Sequence, residues 1–434
     1  MNPNPAFLDS NSAFCLLLIL LIPLAAAGMA LINTGLGRSR NAAHMMLASL
    51  CVMGVAVVAY FAIGFSWQGY PGGPAYMLVI KGKPLDWIAS LPFFLRGLAL
   101  DGSKASLVAL FGLLSVALAA TLPLGSGADR WKLGPACIST AIFAGWTYPL
   151  VAHWAWNGWL AQLGTNDGIG LGFLDSGGAA SIQVLGGLTA LAVTWVLGPR
   201  RGKYTPDRMP LAIPGHNAVF VLFGCFLAWL GWIGLDGAGA ILFTGVGAGG
   251  VVLVAVNATL AAVAAALGAA AVTRGRYGKP DASLCANAWI AGLVASSAGC
   301  AFFRPAASMI VGLAAGALVT YSVELLELHF TIDDPSGTVS VHAVGGLWGI
   351  LAAGWFTTLP VNGAAQAGQW IAQVAGVATL LGFVLPFSYG VHRLLNRLQP
   401  MRVRPEGERQ GLDLHELGAG AYPDFMSHND DLQR

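Results

Sequence analysis

Eleven apolar stretches run along the chain, at 13–34, 43–66, 104–123, 133–156, 179–198, 215–235, 248–273, 284–302, 306–328, 339–358 and 370–396, with polar residues gathered between them. Each is near the roughly 20 residues that a helix needs to cross a bilayer. The pattern predicts an all-α polytopic membrane protein with eleven transmembrane helices. The opening residues, MNPNPAFLDSNS, place no basic residue ahead of the first apolar run. That argues against a cleaved signal peptide, so 13–34 is expected to be a true span. A shorter apolar piece around Trp87 to Leu95 is too brief to cross and is expected at the outer surface.

Lys and Arg between the spans set the orientation. Loops after odd-numbered spans hold Arg38, Arg40, Arg130, Lys132, Arg200, Arg201, Lys203, Arg208, Arg274, Arg276 and Lys279. The C-terminal stretch adds Arg393, Arg397, Arg402, Arg404 and Arg409. Loops after even-numbered spans are nearly bare, Lys81, Lys83, Arg96, Lys104 and Arg304 apart. The odd loops and the C-terminus are therefore expected in the cytoplasm, and the N-terminus outside. The loop 329–338 belongs to the cytoplasmic side although it is acidic, with Asp333 and Asp334.

One polar pattern occurs twice. Residues 175–188 read DSGGAASIQVLGGL and residues 334–347 read DPSGTVSVHAVGGL. Asp175 pairs with Asp334, Gly178 with Gly337, Ser181 with Ser340, and Gly186–Gly187 with Gly345–Gly346. Eight residues after the aspartate stand Gln183 in one copy and His342 in the other. Each copy runs into an apolar span, the first from outside and the second from inside. Two inverted five-helix repeats follow, about 13–198 and about 215–358, with an extra helix at about 370–396. Inverted repeats place the functional site near the midplane. Gln183 and His342 enter to matching depths and are expected to meet there, about two helical turns below their aspartates.

Composition agrees: 56% of the 434 residues are hydrophobic and 10% are charged, against about 25% charged in a soluble domain. The 58 glycines suit close helix packing in lipid. The net charge of +2 says nothing about nucleic acid, and with no basic stripe or nucleic-acid motif no such partner is expected. The six cysteines lie in apolar segments without a C-x-x-C and read as small hydrophobes. No nucleophile–base–acid set, phosphate loop or metal cluster is legible, so neither an enzyme nor a cofactor is expected.

Several stretches, in this order, resemble the ammonium transporters of the Amt/Mep/Rh type, over nearly the whole chain. They are FAGWTYPLVAHWAW (143–156), GFLDSGGAASIQ with GLTALAVTWVLGPR (172–200), GHNAVFVLFGCFLAWLGWIGLDGAG (215–239), DDPSGTVSVHAVGGLWGIL (333–351) and RPEGERQGLDLHELGAGAY (404–422). The resemblance implies a membrane domain over 1–397 and a homotrimer with one narrow pore per subunit in the cytoplasmic membrane. It implies an outer ammonium site at Trp156, whose indole face attracts a cation as it sheds water. Asp175 is then the aspartate that shapes that site, and His342 is one of two pore histidines. His153 and His216 resemble structural motif residues.

The chain departs from the family in the pore. Gln183 replaces the second histidine and cannot titrate. Ser115 and Leu235 stand where two stacked phenylalanines are usual, Gly239 stands for the hydroxyl of the outer site, and Asp236 stands for Asn. These changes are expected to widen the outer pore, remove its aromatic seal and alter any proton relay.

The tail, 398–434, is expected to be cytoplasmic. It keeps the family's Gly411, Asp413, Glu416 and Tyr422 in a segment that folds under the neighbouring subunit, on a face that binds a PII-type signal protein in bacterial members. Two functions remain open: ammonium transport, and an ammonium sensor or regulatory receptor acting through the cytoplasmic face.

Overall fold

The computed structural model describes residues 10–80, 82–357 and 364–422. Among these, nine helices are long and apolar enough to cross a membrane: Ser10–Leu36, Ser39–Gln68, Lys104–Ser126, Ala179–Leu197, Ala218–Thr244, Ala248–Tyr277, Pro305–Phe330, Val339–Phe356 and Gly368–Leu398. They overlie predicted spans 1, 2, 3, 5, 6, 7, 9, 10 and 11. Span 8 is the shorter apolar helix Ala282–Ser297. Span 4 is helical throughout, as Leu133–Ile142, a π-turn at Phe143–Thr147 and Tyr148–Trp156. The chain is a multi-pass membrane protein.

Proline accounts for two of the π-turns and for the break in span 1. Pro149 and Pro386 each follow a π-turn, Phe143–Thr147 and Leu380–Val384. A proline ring has no N–H to give and crowds the preceding turn, so the ladder widens there. Span 1 is interrupted at Leu20–Leu21, just before Pro23.

The first helices of the two repeats pack through glycine in a reciprocal way. A Cβ on Gly28 would come 2.5 Å from the Gly224 carbonyl, and one on Gly224 would come 2.6 Å from the Gly28 carbonyl. Gly35 faces Asn217, and Gly231 faces Ala25. As one residue number rises the other falls, so spans 1 and 6 run antiparallel. Small residues allow this approach, in which dispersion and close backbone contact replace the hydrophobic drive that lipid does not supply.

Span 11 straps the halves together. Gln373 Nε2 donates to Leu174 O at 3.0 Å and to Ile350 O at 3.2 Å, and Ser388 Oγ lies 3.2 Å from Thr189 Oγ1. These bonds reach the approach to span 5, span 10 and span 5 in turn.

One element was not foreseen. The piece around Trp87 belongs to an antiparallel hairpin of β1 (Ala75–Ile80) and β2 (Lys83–Ala89). The β-branched and aromatic residues of AYMLVI and PLDWIA favour strand, and Gly82 supplies a positive φ of 81° in the turn. Of the expected tail, 398–422 packs on the helix ends, and 423–434 lies outside the described residues.

Candidate functional site

The two copies of the repeated motif fold alike. Gly178 and Gly337 have φ of +84° and +68°, and each leads into a π-turn, Ala179–Val184 and Val339–Val344. In the first, Gly178 O accepts from both Ile182 N and Gln183 N at 3.0 Å. Asp175 Oδ1 accepts from Ala180 N at 2.8 Å, and Asp334 Oδ2 accepts from Val339 N at 2.7 Å, the equivalent amide. Each aspartate thus satisfies donors that a helix start leaves open. Their remaining oxygens differ. Asp175 Oδ2 takes Ser181 N and Oγ at 3.0 and 2.7 Å, whereas Asp334 Oδ1 takes Ser126 Oγ at 2.7 Å.

The glycine pairs set how closely the copies meet. A Cβ on Gly187 would stand 2.3 Å from Ala343 N, and one on Gly346 would stand 2.5 Å from Val184 Cγ2. Val184 and Ala343 are equivalent positions, so the contact is again reciprocal and antiparallel. It brings His342 Nδ1 to 2.8 Å from Gln183 Oε1, with both side chains buried. His342 Nε2 and Gln183 Nε2 are left buried without a protein partner. With the amide oxygen accepting from Nδ1–H, the free atoms are one donor, the amide N–H2, and one acceptor, Nε2. Reversing the amide exchanges the two roles and still leaves one of each. That pair can pass a small molecule that both donates and accepts.

A cavity of about 240 Å3 lies at one end of this path, lined among others by Trp156, Phe173, Leu174, Asp175, Phe243 and Thr244. Trp156 Nε1 donates to Asp175 O at 2.8 Å, which fixes the indole against the start of span 5. Phe243 stacks flat on Trp156, with centroids 4.4 Å apart and planes 3° apart, and Phe111 meets both rings edge-on.

The outer site carries two aromatic rings that the sequence reading did not single out, Phe111 and Phe243, while Ser115 and Leu235 bring none. Phe111 stands four residues, one turn, before Ser115, and Phe243 stands eight residues, about two turns, after Leu235, on the same helix faces. That spacing was the available signal. Gly239, expected to line the site, instead packs on the Ser176 carbonyl, where a Cβ would come within 2.1 Å. A hydroxyl-bearing side chain does not fit there. Ser115 and Leu235 are fully buried, and Ser115 Oγ donates to Phe111 O at 2.6 Å, one turn back.

Asp236 is buried completely, with neither carboxyl oxygen hydrogen-bonded. Its Oδ1 occupies the space where a Cβ on Gly177 would sit, 1.9 Å away. Among the described residues no group of three His, Cys, Asp or Glu side chains could hold a metal ion, and the six cysteines are free.

At the opposite end, buried charges are paired. Arg200 donates to Asp333 Oδ1 and Oδ2 at 2.9 Å and to Asp129 Oδ2 at 3.0 Å, and Arg130 NH2 donates to Asp333 O at 2.8 Å. Burial alone would raise the Asp333 carboxyl, but the charge of Arg130 and the bonds and charge of Arg200 hold it at about 2. Neighbouring Asp334 lacks such partners, and burial pushes it up to about 6 against its bonds to Ser126 and Val339.

The four tail residues gather on this face. Asp413 accepts from His44 N at 2.7 Å and Ala43 N at 3.2 Å, at the start of helix Ala42–Ala59. Glu416 accepts from Leu133 N at 3.1 Å and pairs with His44 Nε2 at 2.8 Å. Carboxylates at helix N-termini satisfy open amides and complement the dipole. Gly411, at φ +100°, lets the chain pass Arg40, whose carbonyl would lie 2.6 Å from a Cβ. Tyr422 OH lies 3.0 Å from His216 Nε2. The tail thus ties spans 2, 4 and 6 of its own chain. At the other face, His153 meets Gln68 O and Asp86 Oδ1 at 2.7 and 2.9 Å and anchors β2.

Comparison with known proteins covers the same ground. The model of the Ammonium Transporter Family matches residues 13–422. The chain is 34% identical to ammonium transporter Amt2 of Archaeoglobus fulgidus, over 100% of this chain and 92% of the relative. It is 28% identical to an ammonium transporter of Bacillus subtilis, over 96% and 99%. Among solved structures, one described as a sensor Amt protein superposes with a TM-score of 0.84 at 27% identity, over 94% of this chain and 98% of that one. Candida albicans Mep2 shares the fold, with a TM-score of 0.79 at 23% identity over 98% and 93%.

Proposed function

This chain belongs to the ammonium transporter family, and we propose that it carries ammonium across the cytoplasmic membrane as ammonia, after taking a proton from the cation at the outer site. Trp156 and Asp175 draw the cation into the 240 Å3 vestibule. There the indole ring and the buried carboxylate favour positive charge as water is lost. Ammonia then crosses past Gln183 and His342. The observation that carries this reading is the 2.8 Å bond between those two side chains. It leaves one buried donor and one buried acceptor facing no protein group, which matches a molecule with three N–H bonds and one lone pair.

The subunits assemble as a homotrimer with the N-terminus outside and the C-terminus in the cytoplasm. Gly411, Asp413, Glu416 and Tyr422 form the regulatory face, open to a PII-type signal protein. The relatives named as ammonium transporters support the substrate. Uptake of labelled methylammonium by cells lacking their own transporters tests the reading: uptake that disappears in His342→Ala supports it, and no uptake above empty cells sinks it.

A second reading, an ammonium sensor signalling through the cytoplasmic face, is favoured by one observation. Phe243 covers one face of Trp156, so a cation has less of the indole to bind on its way to a pore. Ammonium binding without uptake selects this reading.

A further inference from the structure

The loop 92–98, which follows β2, turns back along span 2 instead of leading away from it. Its start is tied to the last turn of that helix: Leu91 N donates to Ser66 O at 3.2 Å, and Ser66 Oγ donates to Pro92 O at 2.9 Å. Phe93 then meets Trp67 edge-on, with centroids 5.5 Å apart, and Phe94 meets Phe61 edge-on at 6.0 Å. Phe61 stands seven residues before Gln68, where the helix Ser39–Gln68 ends, which is roughly 10 Å along its axis. The loop therefore reaches about two turns inward from the end of a membrane-crossing helix. Gln68 O bonds to His153 and Asn157 beside Trp156, so this end lies on the vestibule side.

The backbone bends sharply to bring the rings there. Phe94 and Leu95 are consecutive non-glycine residues in the left-handed region, at φ of 61° and 52°. L-residues hold that conformation at a cost, and it persists where the surroundings offset it. The chain itself covers little of what the bend delivers: Phe94 is 54% exposed and Phe93 38%.

The neighbours of the two rings indicate what covers them. At this level the exposed side chains are Val58, Phe61 and Ile63 of span 2 and Trp146 of span 4, whose ring meets Trp67 at 5.8 Å. The patch is thus continuous with the apolar flank of two spans, and all of its members are large. Where helices of this chain meet one another, glycine stands at the contact, as Gly28 against Gly224 and Gly312 against Ala261. Protein packing in lipid relies on such small residues. A flank of bulky side chains suits acyl chains rather than a second copy. Arg96 is the only charged residue from 87 to 100, and its long stem can return the charge to the headgroups.

We propose that residues 92–98 form a wedge inserted in the lipid leaflet on the vestibule side, with Phe93 and Phe94 among the acyl chains and Arg96 at the level of the phosphates. The wedge anchors the connection between spans 2 and 3 to the bilayer. It stands whether the chain transports ammonium or senses it.

The test places a nitroxide label on Phe94→Cys in the full-length protein in phosphatidylcholine liposomes. Phe61→Cys is the reference in lipid and Thr165→Cys, exposed in the loop after span 4, the reference in water. The native chain with its six cysteines, treated alike, gives the background. Access of each label to dissolved oxygen and to a water-soluble nickel complex is read by paramagnetic resonance. The expected result is a Phe94 label that resembles Phe61, open to oxygen and closed to nickel, about 5–10 Å below the phosphates, the depth of an interfacial apolar face. Phe93→Cys repeats the reading one residue away, so a poorly folded Phe94→Cys does not decide the matter. Nickel access equal to that at Thr165 puts the loop in water and overturns the inference. Labels closed to both agents and coupled to one another between chains show a second copy on the patch, which overturns it as well.

Discussion

His342 Nδ1 and Gln183 Oε1, 2.8 Å apart and both buried, join the equivalent positions of two antiparallel repeats. Replacing Gln183 by Leu leaves the His342 Nδ1–H buried without an acceptor. The expected cost is about 1–3 kcal/mol, visible as a lower midpoint in thermal unfolding. Gln183→His retains a bonding atom and is expected to unfold near the native temperature.

The approach of the repeats depends unequally on their glycines. A Cβ at Gly187 meets the backbone amide of Ala343 at 2.3 Å, whereas one at Gly346 meets the end of the Val184 side chain at 2.5 Å. Backbone cannot rotate away and a side chain can. Gly187→Ala should therefore destabilise by about 1–3 kcal/mol and Gly346→Ala by less. Unfolding of the two variants side by side checks the order, and a larger loss in Gly346→Ala contradicts it.

The tail should loosen when its caps are removed. Asp413→Ala frees the amides of Ala43 and His44, a loss of about 0.5–2 kcal/mol. Limited proteolysis is expected to cut residues 398–422 faster in this variant while the membrane helices stay intact. Equal cutting in both proteins excludes the cap as the anchor.

Two neighbouring aspartates give opposite pH dependence. Asp333, held at about 2 by Arg130 and Arg200 against its burial, contributes stability that is present above the ordinary value of 3.8 and is lost as pH falls toward 2. Asp334, raised by burial to about 6, binds its proton more tightly when folded. Its contribution is greatest below 3.8 and declines as pH rises from about 4 to about 6. Melting temperatures across that window should fall with pH in the native protein, and the slope should flatten in Asp334→Asn.

The fold was legible because its signals are periodic or repeated. Span lengths follow from bilayer thickness, and the meeting of Gln183 with His342 follows from equal spacing behind Asp175 and Asp334. What stayed hidden needs three dimensions. Phe243 covers Trp156 although 87 positions separate 156 from 243 in the chain, and neither sequence neighbourhood announces the stack. Gly239 was read as a missing hydroxyl, yet its smallness serves the contact with Ser176. Asp236 was visible as an unusual residue, but its enclosure emerges only when Gly177 is packed against it. The β1–β2 hairpin was passed over because the helical period of the spans dominates the pattern.

The most direct measurement follows an ammonium pulse on proteoliposomes, recording luminal pH and, on a solid support, current, for the native protein, His342→Ala and Gln183→His. The account predicts that the native protein alkalinises the lumen faster than protein-free liposomes, without sustained current, since Gln183 relays no proton. His342→Ala should slow the alkalinisation, and Gln183→His should gain current. Alkalinisation no faster than in protein-free liposomes, with ammonium still bound, contradicts the account and leaves a receptor in its place.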